Sequence, residues 1–199
     1  MINYLRKIAN PLLIWIFIFI GSTALLGYAI SCTAIEIPHD FNFLLTFLAT
    51  TAITWFLMYF VAKGNKKASL GFFTATAAAY TVLLFQECSE VFVTLVIESK
   101  STDTFKSIEW LYGLFGLGVA ICLFIGFMFF ILAKFAKKRN DTLIKLSAVY
   151  YLTALVLDII ACIFCIICYG FKFYILFHVG FIFMTLAFIV TPASIESIH

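Results

Sequence analysis

The sequence predicts an all-α integral membrane protein, a bundle of about six transmembrane helices. Two observations carry this prediction. Of the 199 residues, 64% are hydrophobic and only 12% are charged, whereas an ordinary soluble domain is roughly 45–50% apolar and about 25% charged. Several apolar segments also reach the length of about 20 residues that a helix needs to cross the roughly 30 Å hydrocarbon core. A soluble chain could not bury this much apolar surface.

Charged and turn residues divide the chain, as a single transmembrane domain, into six predicted spans. The predicted spans are Pro11–Ile35, Phe41–Ala62, Ala68–Ile97, Trp110–Ala133, Leu143–Cys168 and Phe171–Val190. They are separated by "EIPHD", "KGNKK", "ESKSTDTFKSIE", "KFAKKRND" and "YGFK". The last separator is so short that spans five and six must pack as neighbours.

Two spans have unusual lengths. Span one follows Arg6 and Lys7 and superficially resembles a signal peptide, but it is longer than the roughly 7–15 residues of a signal-peptide core. We therefore expect it to remain as a helix. Span three is long enough for about 45 Å of helix, which exceeds the hydrocarbon core, and we expect it to project beyond the bilayer.

The distribution of basic residues predicts the orientation, because cytoplasmic loops are enriched in Lys and Arg. Most of the basic residues precede span one or lie in the loops after spans two and four, which are on the same side of the membrane. The basic residues on that side are Arg6, Lys7, Lys63, Lys66, Lys67, Lys134, Lys137, Lys138, Arg139 and Lys145. The opposite side has Lys100, Lys106 and Lys172. We therefore expect both termini to be cytoplasmic. Phe, Ile, Lys and Asn are abundant, as they are in proteins from AT-rich bacterial genes, and we expect the membrane to be the bacterial inner membrane.

Small residues recur at helical spacing in three spans, which is typical of helix–helix contacts in lipid. Span five repeats at intervals of four and three, the period of a left-handed helix seam. Its members are Ser147, Tyr151, Ala154, Asp158, Ala161, Cys165 and Cys168. Span four has Gly118, Cys122 and Gly126, and span three has Gly71, Ala75 and Ala79. Two interpretations stay open for each stripe: packing inside the chain, or packing against a second copy in a homo-oligomer.

Several polar residues lie within the apolar spans. An ionisable group at membrane depth is costly and usually faces other helices or a wet cavity. We predict one polar cluster in the outer half of the membrane, made of Gln86, Glu87, Glu90, Asp158 and His178. Interhelical hydrogen bonding, a hydrated ion pathway and simple solvation of the two glutamates at the interface are its three interpretations.

The cysteine run "CIFCIIC", with Cys162, Cys165 and Cys168, suggests redox or metal chemistry. These cysteines lie among Ile and Phe, where thiols behave as small hydrophobic groups, so packing is the favoured interpretation. The chain has no Gly-rich phosphate loop, no HExxH and no GxSxG. We therefore predict a protein that is not an enzyme and that binds no cofactor and no metal. A membrane redox enzyme that uses the cysteine run is the alternative.

These observations favour a self-associating membrane subunit that anchors or signals to a soluble cytosolic protein, for example a bacterial stress or phage-defence sensor. Its basic loop would contact that partner, or anionic membrane lipid, through Lys134, Lys137, Lys138 and Arg139. Positive-inside topology and lipid explain the basic loops without direct nucleic-acid binding. The alternative is a small transporter or channel that uses the polar cluster.

Overall fold

A computed structural model describes residues 11–34, 41–98, 104–135, 141–170, 172 and 174–197, with side chains for 12–32, 44–86, 110–135, 142–170, 172, 174–192. The described residues form six α-helices and no strand. The helices are α1 (Pro11–Ala34), α2 (Phe41–Ala62), α3 (Lys66–Glu98), α4 (Thr104–Phe135), α5 (Asp141–Tyr169) and α6 (Tyr174–Ser197). Each is long and apolar enough to cross a membrane. The prediction of an all-α chain with six helices of spanning length is confirmed for these residues.

The helix ends differ from the predicted spans by a few residues. α4 begins at Thr104 rather than Trp110 and α5 at Asp141 rather than Leu143, because hydropathy detects the apolar stretch whereas a helix continues into its polar ends. α6 begins at Tyr174, three residues later than predicted. The chain first turns at Gly170, whose φ is 71°, a conformation that glycine adopts without steric cost.

The chain divides into two compact units. The first contains residues 1–79 and 179–199, and the second contains residues 80–178. α3 and α6 each contribute one part of their length to each unit. The first unit therefore contains α1, α2, the beginning of α3 and most of α6, and the second contains the rest of α3, α4, α5 and the first residues of α6.

Two glycines bring α1 and α6 into close contact in the first unit. A Cβ atom at Gly180 would lie 2.4 Å from Leu25 Cγ and 3.1 Å from the Gly21 carbonyl oxygen. A Cβ atom at Gly21 would lie 2.9 Å from Met184 Cγ and 3.0 Å from the Gly180 carbonyl oxygen. Each glycine thus leaves room for the backbone of the other helix, which is how small residues support helix association in lipid.

The connection between α2 and α3 is a short capped turn, also in the first unit. The Asn65 amide donates to the Phe60 carbonyl and the Gly64 amide to the Val61 carbonyl, at 3.1 Å each, with Gly64 at a φ of 67°. This is the Schellman arrangement that ends a helix at a left-handed glycine. The Asn65 side chain then accepts a hydrogen bond from the Ala68 amide at 3.1 Å and caps α3.

α4 and α5 form an antiparallel pair that makes most of the second unit. The Phe129 and Tyr150 rings stack at 5.6 Å near one end of the pair, and Phe115 and Phe164 stack at 5.4 Å nearer the other. Near the first ring pair, Ser147 Oγ donates a 2.7 Å hydrogen bond to the Gly126 carbonyl of α4. The opposite faces of both helices expose apolar side chains.

We predict that Gly180→Ala destabilises the folded chain by about 1–3 kcal/mol, because a Cβ there overlaps the buried Leu25 side chain and a backbone oxygen. Gly71→Ala is the matched control, since a Cβ at Gly71 meets nothing within 4 Å. The control should be neutral or stabilising by up to about 1 kcal/mol, the helix propensity gained by alanine. Unfolding in mixed detergent micelles measures both. Equal effects of the two substitutions would contradict the close contact of α1 and α6.

Candidate functional site

The candidate site is a hydrogen-bonded network in the second unit, with Asp158 at its centre. Asp158 belongs to the buried seam of α5 and is only 1% exposed. It lies eleven residues before the end of α5 at Tyr169, which is about 16 Å along the helix. A carboxyl group at this position is remote from water and must find its partners within the protein.

His178, near the start of α6, supplies the first partner. Its Nδ1 lies 2.8 Å from Asp158 Oδ1, and the histidine is 2% exposed. The turn at Gly170 reverses the chain, so that the first residues of α6 return to α5 and residues twenty positions apart come together. The two side chains therefore satisfy one another away from solvent.

Tyr112 of α4 extends the network. Its hydroxyl lies 3.0 Å from Nε2 of His178, so both ring nitrogens of the histidine are engaged. The rings of Tyr112 and His178 meet edge to face at 5.5 Å, and Tyr169 packs against Tyr112 at 6.0 Å. Three helices thus meet at one imidazole.

One oxygen atom of the network lacks a hydrogen-bond partner within the described part of the chain. Asp158 Oδ2 is buried and has no hydrogen-bond partner among the described residues. When the aspartate is ionised, Nδ1–H of a neutral histidine donates to Oδ1 and the tyrosine O–H donates to Nε2. The arrangement then carries one net negative charge in an apolar interior. The same geometry accommodates one further proton with both hydrogen bonds kept.

The structure brings together two of the five residues predicted for the polar cluster, Asp158 and His178. Gln86 has an exposed side chain. Glu87 and Glu90 lie in the helical part of α3 whose side chains are outside the described residues. Sequence reasoning missed Tyr112. The available signal was its position at the start of span four, which lies at the same end of the helix pair as the last turns of span five, the turns that follow Asp158.

The stripes of small residues have different roles. The α5 seam is buried at Ser147, Tyr151, Ala154, Asp158, Ala161 and Cys165, whereas Cys168 is half-buried. On α4, a Cβ at Gly126 would contact Tyr151, and one at Gly118 would lie 3.3 Å from a Leu157 methyl group. Gly126 is buried, while Gly118 and Cys122, the middle residue of that stripe, are half-buried. The glycines of α4 and the seam of α5 therefore pack inside the second unit.

The stripe on α3 faces outward instead. Gly71 and Ala75 are exposed, and Ala79 is half-buried. A Cβ at Gly71 would meet nothing within 4 Å. This face of α3 therefore presents small side chains at its surface.

The predicted basic contact lies mostly outside the described residues. Lys134, at the end of α4, is exposed, but Lys137, Lys138 and Arg139 fall in the segment that the structure does not describe. The other basic loop is described: Lys63, Lys66 and Lys67 are all exposed around the α2–α3 turn. The ammonium group of Lys63 lies 4.6 Å from the centre of the Tyr59 ring.

The cysteine run lies along α5 as predicted from its spacing. Cys165 is buried, and Cys162 and Cys168 are half-buried. All three remain thiols. Within the described parts of the chain, no three His, Cys, Asp or Glu side chains are grouped so that they could hold a metal ion.

No family model, no curated protein sequence and no solved structure matches this chain. The functional argument therefore rests on the geometry of the described residues.

We predict that Asp158→Leu destabilises the fold by about 3–5 kcal/mol, because it leaves the buried His178 ring without its partner. The double variant Asp158→Leu/His178→Phe should lose less unfolding free energy than the two single variants lose in total, by at least about 1 kcal/mol. Thr153→Val is the control on α5, since that hydroxyl is exposed and bonds only its own helix; its effect should stay within about 0.5 kcal/mol. Additive single effects would show that the pair is not coupled.

Proposed function

We propose that this chain is a non-enzymatic, multi-pass membrane subunit that self-associates through α3 and anchors or signals to a soluble acidic protein in the cytosol. Both termini would lie on the cytoplasmic side of a bacterial inner membrane, and a stress or phage-defence sensor is the concrete role. One observation supports it most: the α3 stripe is exposed while the comparable α4 stripe is packed inside the protein.

The exposed stripe supports self-association because lipid tails gain nothing from contact with glycine and alanine. Helices in lipid associate where small residues allow their backbones to approach closely. Gly71 and Ala75 are four residues apart and therefore on one face of α3. A second copy that presents the same face forms a self-complementary, two-fold contact.

The basic side chains support a cytosolic partner. Lys66 and Lys67 lie only four or five residues before Gly71, about 6–8 Å along α3. Association through the stripe would therefore bring the lysines of two α2–α3 turns near each other and double the local positive charge. Such a surface attracts an acidic patch and steers its encounter.

The first test of this proposal replaces the small residues by large ones. Gly71→Leu/Ala75→Leu should reduce the crosslinked dimer in native membranes at least about tenfold, since a loss of roughly 1.4 kcal/mol of association energy is tenfold. Folding should be retained because the space at Gly71 is open. Ala52→Leu, at another exposed alanine of the first unit, is the control. A dimer that withstands the α3 substitutions, or a chain that is monomeric throughout, refutes the proposed interface.

The second test concerns the basic loops. Charge reversal of Lys137, Lys138 and Arg139, with membrane topology checked separately, should weaken recruitment of the cytosolic partner and make the residual binding less dependent on salt. Reversal of Lys63, Lys66 and Lys67 tests the other loop in the same way. Co-purification across a salt series, repeated with vesicles lacking anionic lipid, separates a protein partner from lipid. Recruitment that neither set changes would exclude both loops as docking sites.

A further inference from the structure

We propose that Tyr112, His178 and Asp158 form a proton-binding relay, in which the buried carboxyl–imidazole pair exchanges one proton with solvent through the tyrosine hydroxyl. The site goes beyond the proposed function and does not depend on self-association. Its ligand is a proton, taken up from the side of the membrane on which α4 begins and α5 ends.

The different burial of the three side chains indicates the direction in which the proton enters the relay. Asp158 and His178 are 1% and 2% exposed, whereas Tyr112 is half-buried. Tyr112 also packs against Tyr169, the last residue of α5. The hydrogen bonds of 2.8 Å and 3.0 Å therefore connect a buried carboxyl group to the hydroxyl of a less buried residue beside the last residue of α5.

Proton transfer along this chain balances without any other reactant. A proton from a solvent hydronium ion joins the Tyr112 oxygen and leaves a water molecule, and the original hydroxyl proton moves to Nε2 of His178. The Nδ1 proton then moves to Asp158 Oδ1. Both hydrogen bonds reverse their direction and remain made, and the network changes from one net negative charge to neutral. Networks of Asp and His residues serve as proton relays in membrane pumps and transporters for the same reason.

The close burial of the pair favours a proton over a larger cation. Asp158 Oδ2 lacks a hydrogen-bond partner among the described residues, so the negative charge is incompletely compensated, yet almost no surface of the pair is open for an ion to bind. Among the described side chains, the titratable groups next to the network are Cys162, Cys165 and Tyr169. Glu87 and Glu90 on α3 lie outside the described side chains and are controlled for in the test.

The test measures proton uptake by the full chain in phosphatidylcholine–phosphatidylglycerol bilayers, with infrared difference spectra recorded between acidic and alkaline pH. Selective carbon-13 labelling of aspartate identifies its bands in the unmutated protein. The variant Asp40→Asn/Asp103→Asn/Asp141→Asn removes the other aspartates, and Glu87→Gln/Glu90→Gln removes the glutamates of α3. In both variants the labelled aspartate band and a histidine band should still change together, and this change should account for one of the protons taken up per chain.

Two further variants test the proton-binding site and the path of proton transfer separately. Asp158→Asn should abolish the joint change and the uptake of that proton. Tyr112→Phe should keep the proton count but slow exchange about a hundredfold, the scale of a positioned proton donor. A proton count that Asp158→Asn leaves unchanged, or no change in the aspartate band of the unmutated protein at any pH, overturns the site. Exchange as fast in Tyr112→Phe as in the unmutated protein overturns the relay.

Discussion

The structure of the second unit depends on one requirement: a carboxyl group removed from water must be satisfied by the protein itself. Asp158 meets this requirement through His178, and His178 meets its own through Tyr112. Each partner comes from a different helix. Because hydrogen bonds are directional, they fix the rotation and the longitudinal position of α4, α5 and the start of α6 relative to one another, which apolar packing alone specifies poorly.

The helices themselves pack where side chains are small. Gly21 and Gly180 let α1 and α6 approach closely in the first unit, and Gly118 and Gly126 receive side chains of α5 in the second. Large apolar residues lie on both the buried and the exposed faces of these helices. The small residues Gly71 and Ala75 of α3 are exposed instead, and for that reason we propose that they contact a second copy.

Much of this arrangement could be predicted from the sequence, because the relevant signals are local. The length and hydropathy of the spans predict the helices, and the alternating intervals of four and three in α5 predict its buried seam from Ser147 to Cys165. Asp158 and His178 stand out since ionisable residues are rare in apolar spans.

The remaining features depend on pairing between distant parts of the chain. The sequence does not distinguish Gly21 and Gly180 from other glycines, because their contact exists only when the two helices are packed. Tyr112 is one of nine tyrosines, and its partner can be identified only in the folded structure. Gln86 resembles Asp158 in being polar within an apolar run, yet its side chain is exposed. Function is further removed from sequence, because neither a catalytic motif nor a related protein relates these residues to a known reaction.

The most direct test of the account observes the imidazole of His178 itself. Nitrogen-15 spectra of histidine-labelled protein in bilayers contain only three histidines, His39, His178 and His199, and His178→Gln assigns the signal. The account predicts that at alkaline pH His178 has a protonated Nδ1 that is strongly hydrogen-bonded to Asp158, and that Asp158→Asn shifts this signal. A His178 signal without a strong hydrogen bond at Nδ1, unaffected by Asp158→Asn, would contradict the buried pair on which the second unit depends.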